Sequence, residues 1–222
     1  MVSRRLTAIL AAIALCISGT ALAPVASAQD PILFVHGWAS TSSVWNTMIP
    51  RFEEDGYAKS ELSAYSYNTS TSNKTTAENE VKSRVEALKK ATGASKVDII
   101  AHSMGSLNTR WYIKFVAGGE ANVDDWVSLG GPNHGTSTAN WCFSTACVEM
   151  RVGSTFLSEL NAGDETPGAV NYGTWWSPCD EIINPDSSVA LTGATNTKTA
   201  CISHNALMTD ETVYTEVREF VK

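Results

Sequence analysis

The sequence predicts an α/β fold, in which a mainly parallel, six-stranded sheet carries helices on both faces. Short apolar runs alternate with segments of helical periodicity along the chain. One run, at residues 97–100, leads straight into the pentapeptide at 101–105 and then into a helix-like segment. Strands that alternate with helices in this way favour parallel pairing, with any site at the carboxyl edge of the sheet.

The first two helices are predicted from their caps. Ser42 or Ser43 can cap a helix that runs toward Glu54, although Pro50 within it favours a kink or an end. A capping box of Thr75 and Glu78 opens the second helix, which a glycine at position 93 ends.

The remaining elements are predicted from periodicity. Apolar residues at helical spacing define three buried faces, formed by Ala77, Val81, Val85 and Leu88, by Leu107, Trp111 and Phe115, and by Val213, Val217 and Phe220. Strands are expected at residues 32–35, 62–67, 97–100, 126–129, within 168–176 and at 198–203, a short helix near 154–160, and a final helix at about 210–221.

Residues 1–28 have the pattern of a secretory signal peptide. Two arginines precede an apolar run at residues 6–17, and Ala-Ser-Ala at 26–28 forms a cleavage site. The apolar run is too short to anchor the chain in a membrane. We therefore expect a secreted, extracellular protein made of residues 29–222, which form a single domain.

The charge of the chain excludes some partners. Its formal net charge is −7, which becomes −9 for residues 29–222 because residues 1–28 hold two arginines and no acidic residue. An acidic chain without a basic patch is unsuited to nucleic acid or to anionic lipid headgroups. We expect a monomer without a stable membrane anchor.

Four cysteines follow residue 28, and an even number in an exported chain predicts two disulfides. We expect Cys142 to pair with Cys147 and Cys179 with Cys201, although the sequence allows two other pairings. Chain entropy gives about 2 kcal/mol for the short loop and about 3 kcal/mol for the longer one. The spacings lack the Cys-x-x-Cys pairs typical of zinc sites, so no metal is expected.

The pentapeptide Ala101-His102-Ser103-Met104-Gly105 has the form of a nucleophile elbow. A serine at the tip of a sharp strand-to-helix turn is held in strained geometry, with its hydroxyl clear of the sheet. Small residues on either side, here Ala101 and Gly105, let the strand and the helix pass closely. Ser103 is the predicted nucleophile, and the alternative is an ordinary surface serine between a strand and a helix.

A second loop can complete the site. The first strand ends in His36-Gly37-Trp38, and the loop after such a strand supplies a backbone N–H to the reacting oxygen. The N–H groups of Trp38 and Met104 are the predicted oxyanion donors. We interpret His36 as a structural residue that fixes the loop, because the base of such a site follows the nucleophile in the chain.

Two histidines follow Ser103. His134 lies in a glycine-rich turn that we expect to shape the wall of the cleft, whereas His204 follows the last predicted strand and precedes the last helix. In chains with such an elbow the acid comes after the serine and the base comes last. The sequence therefore predicts His204 as the general base.

The predicted acid is Asp180, which comes just after the fifth strand. Glu181, Asp186 and Asp164 are the neighbouring alternatives. The expected Cys179–Cys201 disulfide favours Asp180, because that bridge would tie together the two loops that carry the acid and the base.

These motifs together resemble the small secreted bacterial triacylglycerol lipases of lipase class 2, over nearly all of residues 29–222. The resemblance implies a minimal α/β-hydrolase fold with an Ala-x-Ser-x-Gly elbow, no large cap domain and no cofactor. It implies the catalytic residues Ser103, Asp180 and His204, with Trp38 and Met104 as oxyanion donors. Trp38 is bulkier than the aliphatic residue of several relatives, which affects the shape of the acyl pocket.

The sequence thus predicts a serine ester hydrolase that cleaves acylglycerols or similar carboxylic esters. The alternatives are an esterase of short soluble esters, a cutinase-like polyester hydrolase, and a hydrolase-fold binding module that has lost catalysis. Trp38, Trp141 or the pair Trp175 and Trp176 are candidates to line an apolar cleft for acyl chains. Residues 130–167 leave little chain for a helical lid, so we expect none.

Overall fold

The structure, a computed structural model, describes residues 29–221, and the expected signal peptide lies outside the described residues. Its strands are β1 (Ile32–Val35), β2 (Leu62–Tyr65), β3 (Val97–His102), β4 (Val123–Leu129), β5 (Asn171–Trp176) and β6 (Thr195–Lys198). They form one parallel sheet in the order β2-β1-β3-β4-β5-β6. This confirms the predicted fold class.

Helices cover both faces of the sheet. They are α1 (Met48–Glu54), α2 (Asn73–Thr76), α3 (Lys82–Thr92), α4 (Gly105–Phe115), α5 (Gly119–Asn122), α6 (Thr145–Glu149), α7 (Thr155–Leu160) and α8 (Glu211–Phe220). Along β1, Leu33 and Val35 pack into the core with α3, α4 and α7, whereas Ile32 and Phe34 pack into the core with α1 and α8. Burial on both faces explains why this strand is a continuous apolar run.

The predicted helix between Ser42 and Glu54 is divided in two. A short 3₁₀ turn, Ser42–Trp45, precedes α1, which begins at Met48. Pro50 lies in the first turn of α1, where the missing N–H of proline costs no hydrogen bond. The proline therefore fixes where the helix begins and does not kink it.

The capping box predicted at Thr75 and Glu78 is wrong. Ser72 caps the helix instead, since its hydroxyl accepts from the N–H of Lys74 at 3.2 Å. The Ser72 hydroxyl also donates to Glu149, a contact with α6 that local sequence does not reveal. A π-helical segment, Ala77–Val81, then joins α2 to α3, which ends at Gly93 as predicted.

The sixth strand lies earlier than predicted. It is the polar segment Thr195–Lys198 rather than residues 198–203, and it pairs only with β5 at the edge of the sheet. The more apolar residues after it form a loop in which Cys201 is bridged to Cys179 and Ile202 packs against the core. An edge strand needs no continuous apolar face, so the apolar run was a misleading signal.

The later helices follow their predicted faces with one exception. Phe115, the last residue of α4, is 44% exposed, whereas Leu107 and Trp111 are buried as expected. Between β4 and β5 the chain forms only α6, α7 and a 3₁₀ turn, so the described residues contain no large cap domain. None of the helices within residues 29–221 is long and apolar enough to cross a membrane.

Candidate active site

A cavity of about 410 Å³ opens at the carboxyl edge of the sheet. The cavity lies at the ends of the neighbouring strands β1 and β3. The chain leaves β1 toward β2 on one side and leaves β3 toward β4 on the other, so the loops after these two strands diverge. Five separate loops line it, through side chains that include Trp38, Ser103, Thr136, Trp141, Ile182 and His204. Trp175, by contrast, does not line the cavity. It is buried between the sheet and α8.

Ser103 stands at the sharp turn between β3 and α4. Its φ of 55° lies in the left-handed region, which is strained for any residue other than glycine. Its N–H donates to the carbonyl oxygen of Leu129 at 2.9 Å, which holds the turn against the end of β4. A Cβ on Gly105 would come within 2.5 Å of the Val35 oxygen, so the elbow can form only with glycine there.

The loop after β1 packs directly against this elbow. A Cβ on Gly37 would lie 2.7 Å from the Cβ of Ser103, so only glycine allows the two turns to approach. Within residues 29–221, the N–H groups of Trp38 and Met104 donate no hydrogen bond. Met104 also immediately precedes α4, whose amino end carries partial positive charge. Both N–H groups are therefore available to an anionic oxygen.

Sequence reasoning missed the residues that hold this loop in place. Tyr67 donates its hydroxyl to the carbonyl oxygen of His36 at 2.7 Å, and its ring stacks on the His36 ring at 4.4 Å. Asn108, in α4, donates its side-chain amide to the Tyr67 oxygen at 3.1 Å. Burial raises the pKa of Tyr67, so its hydroxyl stays protonated and can donate. The His36 ring stacks on Tyr67 and its Nδ1 lies 2.8 Å from the Gly37 carbonyl oxygen, which supports the structural role predicted for it.

Replacing Tyr67 with phenylalanine is expected to lower kcat for ester hydrolysis about tenfold and to leave KM nearly unchanged. The variant loses the hydrogen bond that positions the His36–Trp38 loop but keeps the stacked ring. Tyr57→Phe is the matched control, because its hydroxyl also donates to a backbone carbonyl, that of Val221, remote from the cavity. Steady-state kinetics of both variants test this, and an equal loss of kcat in Tyr57→Phe would contradict it.

Asp180 and His204 form a hydrogen-bonded pair beside the cavity. Nδ1 of His204 donates to Oδ2 of Asp180 at 2.8 Å, and the aspartate side chain is only 1% exposed. The other carboxylate oxygen accepts the N–H groups of Ile182 and Ile183, each at 2.9 Å. The acid is therefore fixed by three donors, one of which is the histidine ring.

These contacts set the charge of the pair. Burial alone would raise the pKa of Asp180, but the hydrogen bond and charge of His204 and the two backbone N–H groups outweigh it, so the pKa lies below its usual value. An ionised Asp180 keeps the proton of His204 on Nδ1. The other ring nitrogen, Nε2, is then free to accept a proton.

The neighbouring acids make other contacts. Glu181 accepts the backbone N–H of His204 at 3.0 Å rather than a ring nitrogen. Asp186 and Asp164 accept backbone N–H groups within their own turns. His134 does not line the cavity, and its Nε2 is 2.7 Å from Glu165 on the surface. Among the predicted acids, Asp180 is thus the one whose carboxylate contacts the ring of His204.

Ser103 and His204 line the same cavity, but no hydrogen bond among the described residues joins the serine hydroxyl to the histidine ring. Such bonds are often long before a substrate is bound. A second histidine supports the His204 backbone: Nε2–H of His102 donates to the His204 carbonyl oxygen at 3.1 Å. Burial and the nearby His204 lower the pKa of His102 to about 3, so His102 is neutral near pH 7.

Both expected disulfides are present, Cys142–Cys147 and Cys179–Cys201. The second bridge connects the loops that carry Asp180 and His204. The Ser177 hydroxyl reinforces this connection, since it donates to the Ile202 carbonyl oxygen at 2.6 Å and accepts the Ile202 N–H at 3.0 Å.

Removing the second bridge is expected to damage activity more than secondary structure. In a Cys179→Ser, Cys201→Ser double variant, ester turnover should fall severalfold and the free energy of unfolding by about 3 kcal/mol, while far-UV circular dichroism changes little. Turnover equal to that of the parent protein would contradict the proposed coupling of the two loops. Peptide mapping without reductant checks the pairing itself.

Acidic residues also cluster away from the cavity. Asp30, Asp98 and Asp124 are the one group of carboxylates within residues 29–221 close enough to share a cation. They lie at the amino edge of the sheet, opposite Ser103, and Lys96 pairs with Asp124 at 2.6 Å. Lys96 therefore already supplies a positive charge to this cluster of carboxylates.

The chain is similar to known proteins over nearly all of its described length. The family described as Lipase (class 2) matches residues 29–220. Mature lipase BlEst2 of Bacillus licheniformis is similar in fold, with a TM-score of 0.76 at 18% identity over 88% of this chain and 93% of that one.

Two further structures share the fold. Lipase B of Aspergillus fumigatus has a TM-score of 0.73 at 17% identity over 84% of this chain, which spans about half (51%) of the fungal protein. A metagenomic carboxyl esterase has a TM-score of 0.67 at 14% identity over 84% of this chain and 68% of its own. With the family match over residues 29–220, the chain belongs to the class 2 lipases, a family of ester hydrolases with the α/β-hydrolase fold.

Proposed function

We propose that this chain is an exported serine ester hydrolase that cleaves acylglycerols or similar carboxylic esters through an acyl-enzyme. One observation carries the proposal: a serine on a strained elbow and a histidine held by a buried aspartate open into one cavity. Two backbone N–H groups without partners among the described residues lie at the same turns.

In this mechanism, Nε2 of His204 takes the proton of Ser103 as Oγ bonds to the ester carbonyl carbon. The carbonyl oxygen becomes an oxyanion that accepts the N–H groups of Trp38 and Met104, each contributing on the order of 3 kcal/mol. His204 returns its proton to the leaving alcohol as the C–O bond breaks. A water molecule, activated by the same histidine, then hydrolyses the acyl-enzyme, and Asp180 keeps the ring in the required tautomer throughout.

The lining of the cavity supports an apolar acyl group as substrate. Trp38, Trp141 and Ile182 line its wall together with Ser103. Most of the area of the wall is apolar, and polar groups that include Ser103 and His204 face the same space, which is typical of sites that bind an apolar ligand and orient one reactive group.

A chain-length series tests the proposal. Hydrolysis of nitrophenyl esters and triacylglycerols from two to eighteen carbons should show kcat/KM rising with acyl length beyond four carbons. A maximum at acetate with no turnover of emulsions would instead favour an esterase of soluble substrates. Turnover of a polyester film but not of triacylglycerol would favour a cutinase-like enzyme, and turnover of none would leave a binding module.

Export is part of the proposal. Two disulfides in the described chain and membership of a lipase family support it, because such bridges persist in oxidising compartments. Amino-terminal sequencing of the protein from culture medium is expected to start at Gln29.

We expect no lid to control access to the cavity. The segment between β4 and β5 is pinned, since Glu149 of α6 accepts the backbone N–H and the side-chain amide of Asn73 and the hydroxyl of Ser72. Hydrolysis of a partly soluble triacylglycerol should therefore already proceed at a substantial rate below its saturation point. A negligible rate below saturation, followed by a sharp rise when droplets appear, would show that a lid exists.

A further inference from the structure

Five of the seven large apolar side chains that are exposed within residues 29–221 lie at the mouth of the cavity or on the segment beside it. Scattered single apolar residues are normal on a protein surface, whereas a cluster marks an interaction site. Trp38, Trp141 and Ile182 line the cavity and are also exposed. Phe143 lies in the adjoining loop closed by the Cys142–Cys147 disulfide, and Val148 directly follows that loop.

Two aromatic residues dominate this cluster. Trp141 is 85% and Phe143 is 83% exposed, although each would lose a large apolar area from water if it packed against the protein. They flank Cys142, so the disulfide fixes the backbone between them. Large aromatic rings left so open are costly unless something else covers them.

The loop that presents the two rings is held from within. Arg151 donates Nε to the Ala139 oxygen at 3.1 Å and Nη2 to the Cys142 oxygen at 2.8 Å. Ser144 accepts the N–H of Cys147 at 3.4 Å and so caps α6. These bonds and the disulfide hold the backbone of the loop in the conformation that exposes both rings.

We propose that Trp141 and Phe143 anchor the mouth of the cavity in the uncharged surface of aggregated lipid, an inference that rests on the proposed ester hydrolase function. The continuity of the exposed cluster with the cavity identifies the occupant, since Trp141 belongs to both. An ester molecule can therefore pass along Trp141 from a lipid layer to Ser103. Charge excludes an anionic surface, because the chain carries a formal net charge of −7 and Glu181 stands exposed at the cavity.

The test measures binding without turnover. Ser103→Ala protein is mixed with phosphatidylcholine vesicles that contain triacylglycerol, and the bound fraction is measured by flotation. Adding Trp141→Ser and Phe143→Ser should weaken partitioning at least tenfold. Phe115→Ser is the matched control, because Phe115 is exposed at the far end of α4, away from the cavity; it should change partitioning less than twofold.

Two further measurements separate the alternatives. At low salt, the parent protein should bind phosphatidylglycerol vesicles more weakly than phosphatidylcholine vesicles. In the active enzyme, Phe143→Ser should leave kcat/KM on a dissolved nitrophenyl ester within twofold and raise the apparent KM on emulsion severalfold. The flotation result stands whether or not the protein hydrolyses esters, so the two proposals fail separately.

Several results would overturn the proposal: no vesicle binding by the parent protein, equal binding by the double variant, or an equal loss in Phe115→Ser. So would a dimer in analytical ultracentrifugation that the Trp141→Ser, Phe143→Ser variant dissociates, because the cluster would then be an interface between two copies of the chain.

Discussion

Replacing Ser103 with alanine is expected to abolish nearly all ester hydrolysis, with a loss of at least about 10⁴-fold in kcat, while the fold is kept. The proposed mechanism has no other covalent nucleophile, and the oxyanion donors alone leave only residual catalysis. The substitution also removes no packing contact that stabilises the fold, because the Ser103 hydroxyl faces the cavity. Substantial activity in a variant with unchanged far-UV circular dichroism would contradict the assignment.

The two downstream histidines provide a matched comparison. His204→Ala should be about as damaging as Ser103→Ala, since the serine then lacks a base. His134→Ala should lose far less, because that ring pairs with Glu165 at the surface. A larger loss at His134 would move the base to the glycine-rich turn.

Asp180→Asn is expected to lower kcat by about 10⁴-fold and to leave binding of a substrate analogue largely intact. The reason lies in the three donors around the carboxylate. The N–H groups of Ile182 and Ile183 both require an oxygen, so the amide nitrogen of asparagine must face Nδ1 of His204. The amide then donates to Nδ1, the ring carries its proton on Nε2, and the base cannot accept from Ser103.

Asp164→Asn is the control for this substitution. Asp164 accepts the N–H of Thr166 at 2.9 Å in an exposed turn, so the change should be nearly silent. Steady-state kinetics and binding of the substrate analogue, measured on both variants, test the assignment of the acid. A larger loss at Asp164 than at Asp180 would place the acid in the preceding loop.

Local sequence was sufficient to predict a feature wherever one short segment determines the geometry of that feature. The elbow needs only a buried strand, Ser103 and small neighbours, and the structure forms that turn in strained geometry, with the φ of Ser103 in the left-handed region. The order of serine, acid and histidine likewise identified the pair that the structure joins, because the carboxyl ends of parallel strands meet at one edge.

Features that depend on distant contacts were not predictable in this way. The start of α2 is set partly by Glu149, which is far along the chain from Ser72. Edge strand β6 has no apolar face, so nothing in Thr195–Lys198 marks it before β5 is in place. The support of the His36–Trp38 loop by Tyr67 and Asn108 joins three separate segments and has no local signal.

Trapping the nucleophile tests the central claim most directly. The protein is treated with a serine-directed alkyl phosphonate, the remaining turnover of a nitrophenyl ester is followed, and the adduct is located by peptide mass mapping. The account predicts one phosphonyl group per chain, on Ser103, with turnover lost in proportion to labelling and no labelling of Ser103→Ala. Full turnover after labelling of Ser103, or inactivation with the adduct on another residue, would contradict it.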